Sequence, residues 1–442
     1  MPVALPRIQL DLNATNTQVQ WCVNAYLLVI AVFVLISGKL GDRIGYKRTL
    51  MVGVVGFVIF SALCGLSESA EMLIIARACQ GLCAASIYPA QTAMIAQIYP
   101  PEKRGRATGM IVSIGSLFLI LGPLVGGYLI EVASWRWIFW INLPIGAIGL
   151  WMINRFMPTP EKGRGKVDLK GFAYFALGVS ALTLVFMQAT DWGWTSLLTI
   201  FFAITAIVGL LLLLYREKRA AHPFLDISLF KHSPFAAINI NVFILQFFLM
   251  IVVFRTIYFQ TVLGYSPFLT GFIMFISSCP VLFIAPLAGI LSDRLSPKVP
   301  IALGYLLLIF SSFWFAFISL PSFHSILIAL IAYGTGIPLI FTPSYSTAIS
   351  SVPKGKAGTA SGIVATLRNT GGTVGLALIH LFVSTDQKWH LTEGKREAEI
   401  ISFSDVHFAL AFLLIVAMAI TFMLHSRKSS HHLPEGPAEG WD

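Results

Sequence analysis

Residues 38–48 read Gly-Lys-Leu-Gly-Asp-Arg-Ile-Gly-Tyr-Lys-Arg and lie between two long apolar runs. A weaker copy, Gly289-Ile-Leu-Ser-Asp-Arg-Leu-Ser-Pro-Lys298, lies between two others. In both, a Gly precedes an Asp-Arg pair by four residues, and further basic residues follow. One such loop is a turn between membrane helices. Two of them, far apart in one chain, predict two related halves. Internal repeats around a midplane cavity are the common architecture of secondary transporters.

Composition supports the membrane reading. The chain has 442 residues, 57% hydrophobic and 11% charged, where a soluble chain carries about 25% charged residues. A helix needs roughly 20 apolar residues to cross a bilayer. Thirteen runs meet that need: 21–38, 50–66, 72–98, 107–130, 137–156, 171–189, 197–215, 236–259, 268–291, 300–320, 325–350, 360–383 and 405–425. The expected fold is therefore an all-α integral membrane protein with 13 transmembrane helices. The first twenty residues are too polar for a signal-peptide core, so no cleaved leader is expected. The five cysteines all fall in apolar runs without metal-ligand spacing and read as small packing residues.

Lys and Arg set the expected orientation. Alternate loops hold Lys39, Arg43, Lys47 and Arg48; Lys103, Arg104 and Arg106; Arg155, Lys162, Arg164, Lys166 and Lys170; Arg216, Lys218, Arg219 and Lys231; Arg294 and Lys298; Lys354 and Lys356; and Arg427 and Lys428. The other loops hold only Arg7, Arg136, Lys388, Lys395 and Arg396. The net charge of +10 is thus mostly a positive-inside signal and not a sign of nucleic-acid binding. It predicts a multi-pass protein of the cell (inner) membrane with a cytoplasmic C-terminus.

The two Gly-Asp-Arg loops follow runs 1 and 9. That spacing divides the chain into an outer stub (1–20), an N-terminal half of five helices (21–156), a linker with two extra helices (157–235), a C-terminal half of six helices (236–425) and a cytoplasmic tail (426–442). The unequal halves lead to the expectation that the first helix of the N-terminal half is absent.

These loops resemble the signature of the major facilitator superfamily. Further motifs resemble its fourteen-span drug:proton antiporter family (EmrB/QacA type). They are Thr17-Gln-Val-Gln-Trp-Cys-Val-Asn-Ala-Tyr26, Arg77-Ala-Cys-Gln-Gly81, Gly122-Pro-Leu-Val-Gly-Gly127, Trp135-Arg-Trp-Ile-Phe-Trp-Ile-Asn-Leu-Pro-Ile-Gly146, Gly358-Thr-Ala-Ser-Gly362 and Arg368-Asn-Thr-Gly-Gly-Thr-Val-Gly375. Their order and spacing span nearly the whole chain. Met1-Pro-Val-Ala-Leu-Pro6 resembles the tail of that family's first helix. The chain departs from the pattern at Phe118, at Ser296-Pro297 and at Arg255, which stands where the family has an apolar residue.

The resemblance implies a major facilitator fold: two pseudo-symmetric halves with two extra central helices. It also implies a conformational latch formed by Gly38, Asp42, Arg43, Gly45, Lys47 and Arg48 with Asp293 and Arg294. From the residues alone, the same loop is a turn plus positive-inside charge. Gly109, Gly115, Gly122, Gly126 and Gly127 share one run with Pro123. Small residues let helices approach closely, and Pro can kink a helix. Gly109, Gly122, Pro123, Gly126 and Gly127 are therefore hinge candidates, close packing being the plainer reading.

Charges inside a membrane are costly and are functional candidates by default. Arg77 is the strongest, with Gln80, Gln91 or water as structural partners. Arg368 is a second coupling candidate that also suits snorkelling, and Arg255 is expected to snorkel at the end of its run. Tyr26, Gln91, Asn239, Asn241 and Gln246, together with Asn24 and Tyr345, are candidates to line a substrate cavity. A Phe-rich cavity suits lipophilic cations, although such helices also serve as lipid-facing surface.

No Asp or Glu lies within the first twelve runs, yet proton coupling wants an ionisable group inside the membrane. In the resembled family that group is often an Asp of the first helix. Here His380 is the candidate proton carrier. No phosphate-binding loop appears, so ATP drive is not expected. No catalytic triad or metal site appears either. The expected function is secondary active export of hydrophobic, cationic compounds, with no cofactor and a proton gradient as energy source. The expected partners are a small-molecule substrate, the lipid bilayer and, where the cell has two membranes, a periplasmic adaptor. Transport of an organic anion or metabolite and a truncated non-transporting protein are the rival readings.

Overall fold

The computed structural model describes residues 1–98, 101–157, 168–220, 224–225, 229–230, 233–318, 322–350, 357–390, 392 and 394–426. Within these, the side chains of 39, 42, 43, 88, 92, 93, 95–97, 101–113, 116, 119, 233, 234, 293, 348–350, 357–361 and 423–426 fall outside the description. Among the described residues the secondary structure is entirely helical.

Eleven described segments are long and apolar enough to cross a membrane. The remaining two runs, 107–130 and 360–383, fall on the helices α5 (Pro101–Val132) and α16 (Ala357–Trp389). The N-terminal half comprises α2 (Asn16–Ile44), α3 (Tyr46–Gly65), α4 (Ala70–Ile98), α5, α6 (Trp137–Trp140) and α7 (Asn142–Phe156). Two central helices follow, α8 (Leu169–Trp192) and α9 (Leu197–Glu217). The C-terminal half comprises α10 (Ser233–Leu249), α11 (Ile251–Thr261), α12 (Pro267–Ser278), α13 (Pro280–Arg294), α14 (Lys298–Phe317), α15 (Phe323–Ser350), α16 and α17 (Lys395–Ser426). Three spans are each built from two helices: α6 with α7, α10 with α11, and α12 with α13.

Local chemistry fixes the helix ends. Thr15 and Gln18 form a reciprocal capping box that starts α2, satisfying two amides that the first turn leaves unpaired. Gly45, at φ 92°, turns the chain directly from α2 into α3. L side chains disfavour that conformation, so the turn requires glycine. Asp168 caps α8 through Gly171 N–H and meets Arg216 of α9 at 3.3 Å. Burial raises the pKa of the Asp168 carboxyl, but the Gly171 amide and Arg216 outweigh it and hold it below the ordinary carboxylate value.

The halves meet along two helix pairs, α2 with α16 and α5 with α12. The central helix α8 lies against both α2 and α16, while α9 packs on α8. The latter contact is close: Gly178 and Gly209 bring the two backbones together, leaving about 3 Å for any added methyl. The outward face of α9 exposes Leu197, Phe201, Ile204, Ile207 and Leu211.

The first residues are part of the packed bundle. Pro2–Ala4 and α1 (Leu5–Asp11) bury Val3, Ala4, Leu5 and Ile8. Gln260 donates to the Val3 carbonyl at 2.9 Å, and Trp135 donates to Asp11 at 2.8 Å. The polar stretch 384–404, an outer loop by sequence, is instead mostly helix, because α16 runs to Trp389 and α17 begins at Lys395. Hydropathy marks the part of a helix that sits in lipid and is silent on turns that project beyond it.

Candidate functional site

Arg77 sits on α4, 8% exposed. Its Nη1 donates to Gln80 Oε1 at 2.5 Å, and its Nε donates to the Cys22 carbonyl at 3.0 Å. The guanidinium carbon lies 4.0 Å from the centre of the Tyr26 ring. Gln80 in turn donates to Ser61 at 2.9 Å, Ser61 donates to the Phe139 carbonyl at 3.1 Å, and Asn142 donates to Ser61 at 2.9 Å. This buried network joins α2, α3, α4, α6 and α7. Gly81 makes it possible: a Cβ there would lie 2.6 Å from the Tyr26 carbonyl, so only glycine lets α4 approach α2 this closely. Of the polar partners expected for Arg77, Gln80 is the one in contact.

Arg255, expected to snorkel, does the opposite. It is fully buried and donates from Nε to His407 Nε2 at 3.0 Å. The reason is tertiary. His407 of α17, Phe315 of α14 and Tyr333 of α15 close over it, the two rings with centroids 4.5 and 4.8 Å from its guanidinium carbon. His407, like Asp405, lies on the apolar stretch of α17, whose candidate span is Lys395–Phe422. Their signal in the sequence is the pattern Asp-x-His at the start of the last apolar run.

His380 is buried on α16. Its Nε2 is 3.4 Å from Thr17 Oγ1, and Thr17 donates to Asp191 at 2.6 Å. Asp191 also pairs with Lys388 at 3.8 Å and is half-exposed. One chain of polar contacts therefore runs from an accessible carboxylate on α8, through α2, to the imidazole on α16. Gln20 and Asn24 continue the Thr17 face of α2, at three and seven residues along. Both Asn24 side-chain polar atoms and Gln20 Oε1 are buried without a partner among the described residues.

The hinge candidates separate into two groups. A Cβ on Gly127 would lie 2.5 Å from the Pro267 carbonyl, and one on Gly271 would press on the Pro123 carbonyl. Pro123 and Gly127 thus form the contact between α5 and α12. A Cβ on Gly122 or Gly126 would meet nothing within 4 Å, so these two are not contact residues. Beside this contact Glu131 accepts from Phe268 N–H at 2.9 Å, capping α12 from the other half. The surroundings of Gly109 lie outside the described residues.

Among the latch candidates, Gly38 faces Pro89, with 3.3 Å for an added methyl. Lys47 Nζ donates to the carbonyls of Asn154 and Met157 at 3.2 and 2.5 Å, tying the turn to the end of α7. Arg48 and Arg294 are exposed. The side chains of Asp42, Arg43 and Asp293 lie outside the described residues.

The cavity candidates do not converge. Tyr26 lies beneath Arg77. Asn241, fully buried, accepts from Tyr305 at 2.8 Å and from Thr421, so it ties α10 to α14 and α17. Asn239 donates back to the Phe235 carbonyl of its own helix at 2.8 Å. Gln246 packs beside Gly372 of α16, and Gln91 and Arg368 are half-buried. Among the described residues, one group has metal-ligating types close together: the ligand atoms of Asp386, His390 and Asp405 lie within 4.8 Å of one another.

Comparison with known proteins matches this architecture. The family model described as Major Facilitator Superfamily matches residues 1–177 and 171–376. Multidrug resistance protein Stp of Mycobacterium tuberculosis is 34% identical over 382 residues, 85% of this chain and 71% of that protein. The tetracenomycin C resistance and export protein of Streptomyces glaucescens is 30% identical over 87% of this chain and 72% of its own length. Riboflavin transporter RibZ of Clostridioides difficile is 29% identical over 97% of this chain and 94% of its own length. The crystal structure of an auto-inhibited POT family peptide transporter shares the fold, with a TM-score of 0.71 at 13% identity over 98% of this chain and 94% of that one. The all-helical bundle with its multiple membrane spans is that of a transporter and not an enzyme, and the chain belongs to the major facilitator superfamily.

Proposed function

We propose that this protein exports hydrophobic, cationic compounds across the cell (inner) membrane by alternating access, driven by proton antiport. One observation carries the reading. At one end, α5 and α12 meet through glycine-sized contacts at Gly127 and Gly271, the edge-on ring pair Tyr128–Phe268 and, among the described residues, a hydrogen bond from Phe268 N–H to Glu131. Such a junction can part without unpacking either half. With the Lys- and Arg-rich loops and the C-terminus in the cytoplasm, this junction lies on the outer side and closes it. The names of Stp and of the tetracenomycin C protein support export.

In this reading the Gly38–Arg48 turn and its Asp293-Arg294 counterpart latch the cytoplasmic side. Arg77 and Arg368 are coupling charges, and Pro123 and Gly127 are the pivot. Tyr26, Gln20 and Asn24 line the substrate path, the Asn24 amide and Gln20 Oε1 having no hydrogen-bond partner among the described residues. His380, linked through Thr17 to accessible Asp191, carries the proton. In the same reading the arrangement follows the fourteen-span type, with α8 and α9 as the extra pair.

The test is ethidium efflux from cells under an imposed pH gradient. Expression lowers dye retention, and His380→Ala removes the dependence on the gradient. Equal retention with and without the protein overturns export. Efflux indifferent to both the gradient and His380→Ala overturns proton coupling. A second reading, transport of an organic anion or metabolite, is favoured by two buried arginines without carboxylate partners among the described residues.

A further inference from the structure

Arg255 lies in the C-terminal half, apart from the α2–α16 and α5–α12 junctions. Its Nε is used by His407, and its guanidinium carbon lies over the Phe315 and Tyr333 rings at 4.5 and 4.8 Å. His407 Nδ1 is 2.6 Å from the Phe403 carbonyl, which accepts only, so Nδ1 carries the hydrogen. Nε2 is then the lone-pair acceptor facing Arg255, and the imidazole is neutral. Nη1 and Nη2 are both buried and without a hydrogen-bond partner among the described residues. No carboxylate among those residues therefore cancels the arginine charge.

What remains unused is the flat edge bearing two N–H donors. That edge matches the two oxygens of a carboxylate, which it binds with two parallel hydrogen bonds. Tyr333 and Phe315 provide an apolar surround for the body of such a ligand. A cation left unpaired in a buried site is unfavourable, and a bound carboxylate relieves it.

We propose that Arg255 is the binding site for a small aromatic or aliphatic monocarboxylate, held by Nη1 and Nη2. Neither atom reaches solvent in this conformation, so the ligand enters when the surrounding helices part. The site deepens the organic-anion reading above and does not depend on the export of cations.

The experiment uses the purified full chain in detergent and thermal unfolding followed by tryptophan fluorescence. The probe is benzoate, with benzyl alcohol as its neutral counterpart and chloride as an inorganic anion. Benzoate raises the midpoint in a saturable way, as a ligand of the native state must, while benzyl alcohol and equimolar chloride do not. Arg255→Lys keeps the charge but loses the two-donor edge, and weakens benzoate binding by about tenfold or more. Arg255→Met abolishes binding; should that variant not fold, Arg255→Lys carries the test. Equal shifts by benzoate and benzyl alcohol overturn the proposal, as do equal shifts by chloride. Benzoate binding unchanged in Arg255→Lys overturns it as well.

Discussion

Among the described residues each half of the molecule buries one arginine, and the two are satisfied in different ways. Arg77 is met by protein: a backbone carbonyl, an amide oxygen and the face of Tyr26, within a network that continues to Ser61 and Asn142. Arg255 has one hydrogen-bond acceptor, a neutral imidazole, and otherwise rings. The first arginine is held in a satisfied network, and its removal strands its partners. The second is a charge whose surroundings are incomplete. Burial alone therefore does not define what an intramembrane charge does; the count of satisfied donors does.

The strongest way to break this comparison is to remove both charges. Replacing a buried ionic group with well-packed apolar residues is often neutral or stabilising by about 1–4 kcal/mol. The double variant Arg255→Met/His407→Phe is expected to fall in that range in ligand-free detergent. Arg77→Met is expected to destabilise by about 1–3 kcal/mol, because Gln80 and the Cys22 carbonyl lose their partner. Denaturation midpoints check both signs, and two changes of the same sign would dissolve the distinction.

Removing a partner instead of the charge sharpens it. Gln80→Leu leaves Arg77 Nη1 without an acceptor and is expected to cost about 1.5–3 kcal/mol, the scale of a hydrogen bond to a charged group. His407→Gln, which preserves an acceptor for Arg255, is expected to cost less. The same unfolding assay, run in parallel, reads the difference.

Gly81→Ala probes the backbone contact beneath Arg77. The added methyl meets the Tyr26 carbonyl at 2.6 Å, and overpacking of this kind costs about 1–3 kcal/mol. Dye efflux is expected to fall with stability. An alanine that leaves both unchanged would show that α4 can slide on α2.

The smallest effect lies outside both sites. The folded-state pKa of Asp168 is depressed, so its contribution to stability is present above its unfolded pKa. That contribution is lost as pH falls through the folded value. Asp168→Asn is expected to flatten this acid limb by less than about 1 kcal/mol, since Arg216 is well exposed. An acid-unfolding profile of the variant identical to that of the natural chain would remove Asp168 from the account.

Much of the fold is legible because crossing a bilayer imposes length and apolarity on each helix. The eleven assigned spans all overlap apolar runs read from sequence. Helix ends are less legible, as α17 shows by beginning at Lys395, before its apolar run. Arg77 and Gln80 are readable together because they are three residues apart on one helix. Arg255 is misread from sequence because its surroundings come from α14, α15 and α17, and no local pattern announces them. The glycine row of α5 is visible, but helical phase alone does not say that Gly127 touches the other half while Gly122 and Gly126 do not.

The helix α9 has one more consequence. Its 21 residues span about 32 Å at 1.5 Å per residue, close to the roughly 30 Å hydrocarbon thickness of a bilayer. A thinner membrane tilts such a helix. Gly178 and Gly209 lock α9 to α8, and the last turn of α8 carries Asp191, which accepts from Thr17. Lipid thickness is thereby given a lever arm onto the point where the two halves and the central pair converge.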